Sequence, residues 1–130
     1  MKLRHLLPTA AALALCACET LPGPPPEARV TGEVRWSEAA PVPLGSILEV
    51  WLLEDEEGPV LDLIRLPIDG QRVFDFDLAI PVERLDPART YAVGGQVIDR
   101  GGRPIWEGAP PPPVLTFAKP SHVVLMMTPR

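Results

Sequence analysis

Beyond residue 29, apolar and polar side chains alternate in short runs that are separated by turn residues. An alternation with a period of two is typical of β-strands with one buried face, and no helical period extends over three turns. Seven or eight strands at this spacing predict an all-β fold, a single-domain β-sandwich. The predicted strands are 30–36, 47–53, 60–66, 73–80, 90–98, 104–107 with 114–117, and 122–128.

The same alternation identifies which side chains should face the core, because successive residues of a strand point to opposite faces. The segments between the strands have turn chemistry: an acidic run at 54–57, Asp69-Gly70, and the stretch 99–103. The prolines at 110–113 predict a rigid, exposed connection. The expected core positions are Val30, Val34, Trp36, Leu48, Val50, Leu52, Phe74, Phe76, Leu78, Tyr91, Val93, Val97, Val123, Leu125 and Met127.

The strand 47–53 is apolar on both faces, which is unusual for a sheet with one solvated side. Trp51 and Leu53 lie opposite the expected core positions of this strand. Their face must be covered by a loop, for which 110–113 is a candidate, or left as a docking surface. We therefore treat Trp51 and Leu53, together with Trp106, as the candidate partner-binding surface.

An Asp-Pro turn at Asp86 and Pro87 comes a few residues before Tyr91, which is the one tyrosine of the chain and opens a predicted strand. This arrangement predicts a tyrosine corner, in which the ring packs in the core and the hydroxyl bonds an upstream backbone group. The roles of Asp86, Pro87 and Tyr91 would then be structural.

The N-terminal segment has the pattern of an export signal that ends in a lipoprotein cleavage motif. A basic start at 2–5 precedes an apolar stretch, 6–15, that is too short to span a bilayer as a mature helix. The sequence Leu-Cys-Ala-Cys at 15–18 resembles a bacterial lipobox. We predict that the signal peptide 1–17 is removed and that acyl chains on Cys18 anchor the protein in the lipid bilayer. The alternative is an ordinary secretory signal or a short anchor helix.

A linker follows the lipidated cysteine. The segment 18–28 contains four prolines and lacks periodic apolar residues, so it predicts an extended tether before a folded domain at 29–130.

Charge and cysteine content exclude several classes of function. Removal of Lys2 and Arg4 leaves ten basic against seventeen acidic residues, a net charge of −7. Such a chain does not match nucleic acid, which requires Lys and Arg to neutralise its phosphates. No cysteine remains for a disulfide or for thiolate chemistry once Cys18 is acylated.

The mature sequence offers no catalytic residues, no metal site and no cofactor motif. Its one histidine, His122, follows Ser121 directly in a strand, so the two side chains would point to opposite faces. Asp75 and Asp77 share a strand face but are best explained as the polar half of an ordinary strand. We therefore predict that the protein is not an enzyme.

Five stretches together resemble the YbaY/YscW lipoprotein domain: 28–34, 45–55, 74–78, 85–93 and 98–103. The resemblance implies a β-sandwich lipoprotein on the periplasmic face of the outer membrane. Some members of this family are pilotins, chaperones that escort a secretin subunit of a type III secretion system to that membrane. The chain departs from the pattern at Glu19, since an acidic residue after the lipidated cysteine leaves the inner membrane as an alternative.

Two functions remain open at this point. The first is a lipoprotein that binds or chaperones a segment of an envelope protein, such as a secretin. The second is an envelope-maintenance lipoprotein that binds glycan or a small ligand through exposed aromatic side chains, for which Trp51 and Trp106 are the candidates.

Overall fold

The computed structural model describes residue 23 and residues 25–130, and it contains eight β-strands. A single 3-10 turn, Val82–Arg84, follows the fourth strand. The strands are β1 Glu27–Trp36, β2 Ile47–Glu54, β3 Val60–Pro67, β4 Val73–Pro81, β5 Tyr91–Ile98, β6 Pro104–Gly108, β7 Pro113–Val114 and β8 His122–Pro129.

All eight strands belong to one sheet, in the order β3-β2-β5-β6-β8-β1-β4, with the short β7 paired to β5. Neighbouring strands are antiparallel except β1 and β8, which run parallel. The predicted all-β, single-domain fold is confirmed. The two apolar faces that a sandwich packs together are provided here by one continuous sheet that curves around a single core.

The two edge strands of this sheet, β3 and β4, approach each other. No ladder of backbone hydrogen bonds joins them in the described part of the chain. The carboxylate of Asp62 connects them instead, because its Oδ2 accepts a hydrogen bond of 2.9 Å from the backbone N–H of Ala79. Asp62 is paired with buried Leu52, so it lies on the inner face of β3.

The core contains the side chains that the alternation assigned to it. Each expected core position is buried except Trp36, which is half-buried at the end of β1. The ring of Trp36 packs on Phe74 at a centroid distance of 5.8 Å and is tilted against Trp106 at 6.1 Å. Trp36 therefore closes one end of the core.

Several boundaries differ from the expected ones. β1 begins at Glu27 and so includes two residues, 27 and 28, that the sequence analysis placed in the linker. Strand β7 has only two residues, because the backbone turns away at Leu115, where φ is 70°. The predicted signal peptide 1–17 and the lipidation position Cys18 lie outside the described residues. No helix in the described part of the chain is long and apolar enough to cross a bilayer.

Candidate functional site

An apolar surface covers the outer faces of β2 and β3 near the acidic hairpin that joins them. The register places Trp51 opposite Leu63 and Leu53 opposite Val60. Directly opposed residues on one face of an antiparallel pair are in contact range, so these four side chains form one patch. We call Trp51, Leu53, Val60 and Leu63 the β2–β3 surface.

The outer members of this surface are open to solvent. Val60 is 55% exposed and Leu63 is 45% exposed, whereas Trp51 and Leu53 are half-buried. The connection 110–113, which was one candidate cover, does not take that position: Pro113 pairs with Ala92 of β5, and Pro112 accepts a hydrogen bond from Val93. These prolines extend the sheet beside β5, and part of the β2–β3 surface stays exposed.

The half-burial of Trp51 comes from the strand on its other side. Trp51 pairs with Gly94 of β5, and a Cβ atom at Gly94 would overlap the indole ring. Because glycine has no side chain, the ring can lie on the bare backbone of β5. The sheet thus fixes the orientation of Trp51.

Charged residues border the β2–β3 surface at both ends of β2. At one end Glu49 forms an ion pair with Arg65, with 3.2 Å between Oε2 and Nε, and accepts a hydrogen bond from Gln96. At the other end Glu54 is paired with buried Tyr91, so it lies on the inner face, where it forms a 3.0 Å ion pair with Arg89. Beyond it, the hairpin 55–58 carries three acidic side chains that are exposed. The apolar patch therefore has a predominantly acidic margin on the hairpin side.

The third candidate of the sequence analysis, Trp106, does not belong to this surface. It is 4% exposed and packs in the core beside Trp36. β6 is only five residues long, and the β5–β6 register shifts between Val97 and Ile98. On the near side of that bulge Trp106 pairs directly with buried Val97, so its side chain lies on the inner face.

Tyr91 is 1% exposed, and its hydroxyl lies against the turn that precedes it. The backbone N–H of Asp86 donates a 2.7 Å hydrogen bond to Tyr91 Oη, which in turn lies 3.4 Å from the carbonyl oxygen of Arg84. Asp86 and Pro87 are exposed in that turn, and Asp86 Oδ1 accepts a hydrogen bond from the N–H of Ala88.

The polar residues considered for catalysis have ordinary surface partners. His122 is exposed and shares a 2.9 Å hydrogen bond between Nδ1 and Thr31 Oγ1. Asp77 forms a 2.7 Å ion pair with Arg29. Within residues 25–130, no three His, Cys, Asp or Glu side chains are close enough together to hold a metal ion.

Val60 and Leu63 could not be assigned to a surface from the sequence. Leu61, Leu63, Ile64 and Leu66 are all apolar, so β3 shows no clear alternation from which an outer face could be chosen. The pairing of β3 with β2, which includes a bulge between Leu52 and Leu53, determines which side chains of β3 lie on the outer face. The acidic hairpin is the feature of the sequence that indicates this pairing, since a hairpin places the start of β3 opposite the end of β2.

Comparisons with known proteins point to one family. The family model described as "Type III secretion system lipoprotein chaperone (YscW)" matches residues 25–127, which is most of the chain. A solved structure of an alternative pilotin from the type II secretion system of Vibrio cholerae has a TM-score of 0.71 and 19% sequence identity, and covers 81% of this chain and 98% of its own. That likeness shows a shared fold. No curated protein matches the chain at a significant level.

Proposed function

The chain belongs to the YscW family of type III secretion system lipoprotein chaperones, and we propose that it is a lipid-anchored envelope lipoprotein that binds a polypeptide segment of a secretion-system protein such as a secretin. The β2–β3 surface is the single observation that carries this proposal. Contiguous apolar area on a small domain is typical of a binding site for another macromolecule.

The shape of the surface fits a short amphipathic or extended segment. It is two strands wide, with the fixed indole of Trp51 at its centre and Leu63 and Val60 on the edge strand β3. Such a segment would place apolar side chains on the patch, as in helix-in-groove and strand-addition complexes. The acidic margin formed by the exposed hairpin 55–58 favours a segment with basic residues beside its apolar ones.

The alternative function, binding of glycan or a small ligand by paired exposed tryptophans, has less support. Trp106 is buried, and its contact with Trp36 lies inside the core rather than on a solvent-facing platform. Of the three tryptophans, Trp51 is therefore the one on the candidate surface.

The anchor belongs to the same proposal. Acylation of Cys18 would attach the domain to the periplasmic face of the outer membrane, with the inner membrane as the alternative because of Glu19. Several acyl chains on one residue bind a bilayer durably, whereas one chain binds marginally. A chaperone held in this way would bring its bound segment to the membrane.

Capture of partners from envelope extract tests the binding proposal. The full chain in detergent would be compared with Leu63→Glu on the surface and with Leu44→Glu, a 77% exposed leucine at the opposite end of the sheet. We expect the wild type and Leu44→Glu to recover the same secretion-system protein, and Leu63→Glu to lose it. Trp51→Glu should also lose it, since the indole is the fixed centre of the patch.

A specific outcome would contradict this assignment. Equal recovery by all four proteins, with the variants still folded by circular dichroism, would show that the β2–β3 surface is not the binding site. If the wild type recovers no envelope protein above background, the chaperone function itself loses its support.

A further inference from the structure

Another exposed apolar residue, Phe117, lies in the connection between β7 and β8. Phe117 is 60% exposed, and three of the four residues 115–118 have backbone angles that L-amino acids rarely adopt: φ is 70° at Leu115, 56° at Phe117 and 60° at Ala118. For bulky residues such as leucine and phenylalanine, a positive φ is an outlier. Strain of this kind concentrates at functional positions. We call residues 115–118 the Phe117 loop.

Buried contacts hold this loop in place. Thr116 is buried, its Oγ1 donates a 2.5 Å hydrogen bond to the carbonyl of Arg89, and its N–H bonds Val114. Leu115 packs against the core. The loop therefore directs Leu115 and Thr116 inward and Phe117 outward, and the exposure of Phe117 is a fixed feature of the fold.

The Phe117 loop lies at the end of the sheet where β1 begins. β1 starts there with Glu27 opposite Pro81, and Pro26 accepts a hydrogen bond from Val82. β8 also starts at this end, since the carbonyl of Ser121 bonds the N–H of Thr31. Val82 is a further exposed apolar residue of this end.

We propose that this end of the domain rests on the lipid bilayer, with Phe117 inserted at the headgroup level. The inference rests on the proposed anchor at Cys18. A proline-rich tether reaches roughly 3.1 Å per residue, so the eight steps from Cys18 to Pro26 would keep this end within about 25 Å of the membrane. An aromatic ring that the fold keeps in water becomes buried when it enters the interface.

The contact is apolar rather than electrostatic. Lys119 follows the Phe117 loop and suits a phosphate headgroup, but Asp55, Glu56 and Glu57 at the same end oppose a strongly anionic surface. Contact should therefore occur on zwitterionic lipid and should persist at high salt, because burial of an aromatic ring is not screened by ions.

A matched pair of cysteine variants tests the contact in the full acylated chain. Ala118 and Ala39 are both exposed and lie at opposite ends of the sheet. Each would be changed to Cys, labelled with an environment-sensitive nitrobenzoxadiazole dye, and reconstituted in phosphatidylcholine vesicles that contain nitroxide-labelled lipid. We expect a blue shift and strong quenching at position 118 in low and high salt, and neither at position 39. Adding Phe117→Ser to the Ala118→Cys protein should reverse the blue shift and most of the quenching.

Two controls separate this inference from the anchor on which it rests. Wild-type protein should take up no dye, because Cys18 is acylated and Cys16 removed, and all labelled proteins should float with the vesicles. Dye on Cys18 or failure to float would overturn the anchor and the lipid contact together. Proteins that float while positions 118 and 39 report the same aqueous environment would retain the anchor and overturn the contact, leaving Phe117 free for a protein partner.

Discussion

The indole of Trp51 lies against the backbone of Gly94 on the neighbouring strand β5. This contact keeps a large aromatic ring half-buried on the outer face of the sheet and fixes its position. A preformed apolar anchor loses little side-chain entropy when a partner binds. The absence of a side chain at Gly94 thus allows the indole of Trp51 to take its position in the proposed binding surface.

Substitution of Gly94 by alanine should displace the indole. A Cβ there would overlap Trp51, so we expect a loss of about 1 to 3 kcal/mol of stability from the enforced shift, together with a change in tryptophan fluorescence. Gly101→Ala is the matched control, because its Cβ would meet only Asp99 Oδ1 at 3.4 Å. Denaturant titration of the two variants measures the difference; equal midpoints would show that Trp51 adapts without cost.

Loss of the tyrosine hydroxyl should weaken the fold. Tyr91→Phe removes the acceptor for the N–H of Asp86, and a partly buried donor left unpaired costs about 1 to 3 kcal/mol. Thr90→Ala removes an exposed hydrogen bond to Asp55 instead and should change stability far less. An unchanged denaturation midpoint for Tyr91→Phe would mean that Tyr91 contributes by packing alone.

The contact between the edge strands should depend on the carboxylate of Asp62. Asp62→Ala removes the acceptor for the N–H of Ala79, and we expect a loss of about 1 to 2 kcal/mol with faster exchange of that amide proton. Asp62→Asn keeps one carbonyl oxygen and should lose less. Asp75→Ala, at an exposed position of β4, serves as control. Unaltered exchange at Ala79 in Asp62→Ala would show that this bond does not hold the edges together.

Acylation of Cys18 can be tested separately from the fold. Cys18→Ser should abolish acylation and leave the uncleaved precursor, whereas Cys16→Ser should be processed normally, since Leu15 is too bulky for the position before an acceptor cysteine. Incorporation of radiolabelled palmitate distinguishes them. Label retained by the Cys18→Ser variant would exclude this residue as the acylated one.

The strands β1, β4 and β8 could be predicted from the sequence because each buries one face and leaves most of the other exposed. Phe74, Phe76 and Leu78 alternate with exposed residues in β4, and the same period is found in β8. Where a strand lacks this pattern, the face on which a side chain lies cannot be predicted from that segment alone. Trp106 lies in a five-residue strand beside a bulge, and its inward orientation depends on register with β5.

The residues of the candidate surface could also be predicted only in part from the sequence. Trp51 and Leu53 were identifiable because β2 is apolar on both faces, a property of one segment alone. Their partners Val60 and Leu63 depend on how β3 pairs with β2, which is a tertiary property. The outward position of Phe117 depends on backbone angles at three residues with no glycine to signal them.

Crosslinking in the living cell tests the central claim, that the β2–β3 surface binds an envelope polypeptide. A photoreactive phenylalanine analogue would replace Leu63 in the anchored protein and, as control, Leu44 at the opposite end of the sheet. We expect position 63 to crosslink to one discrete secretion-system protein and position 44 to give no such product. Identical crosslinked species at both positions, or none at position 63, would contradict it.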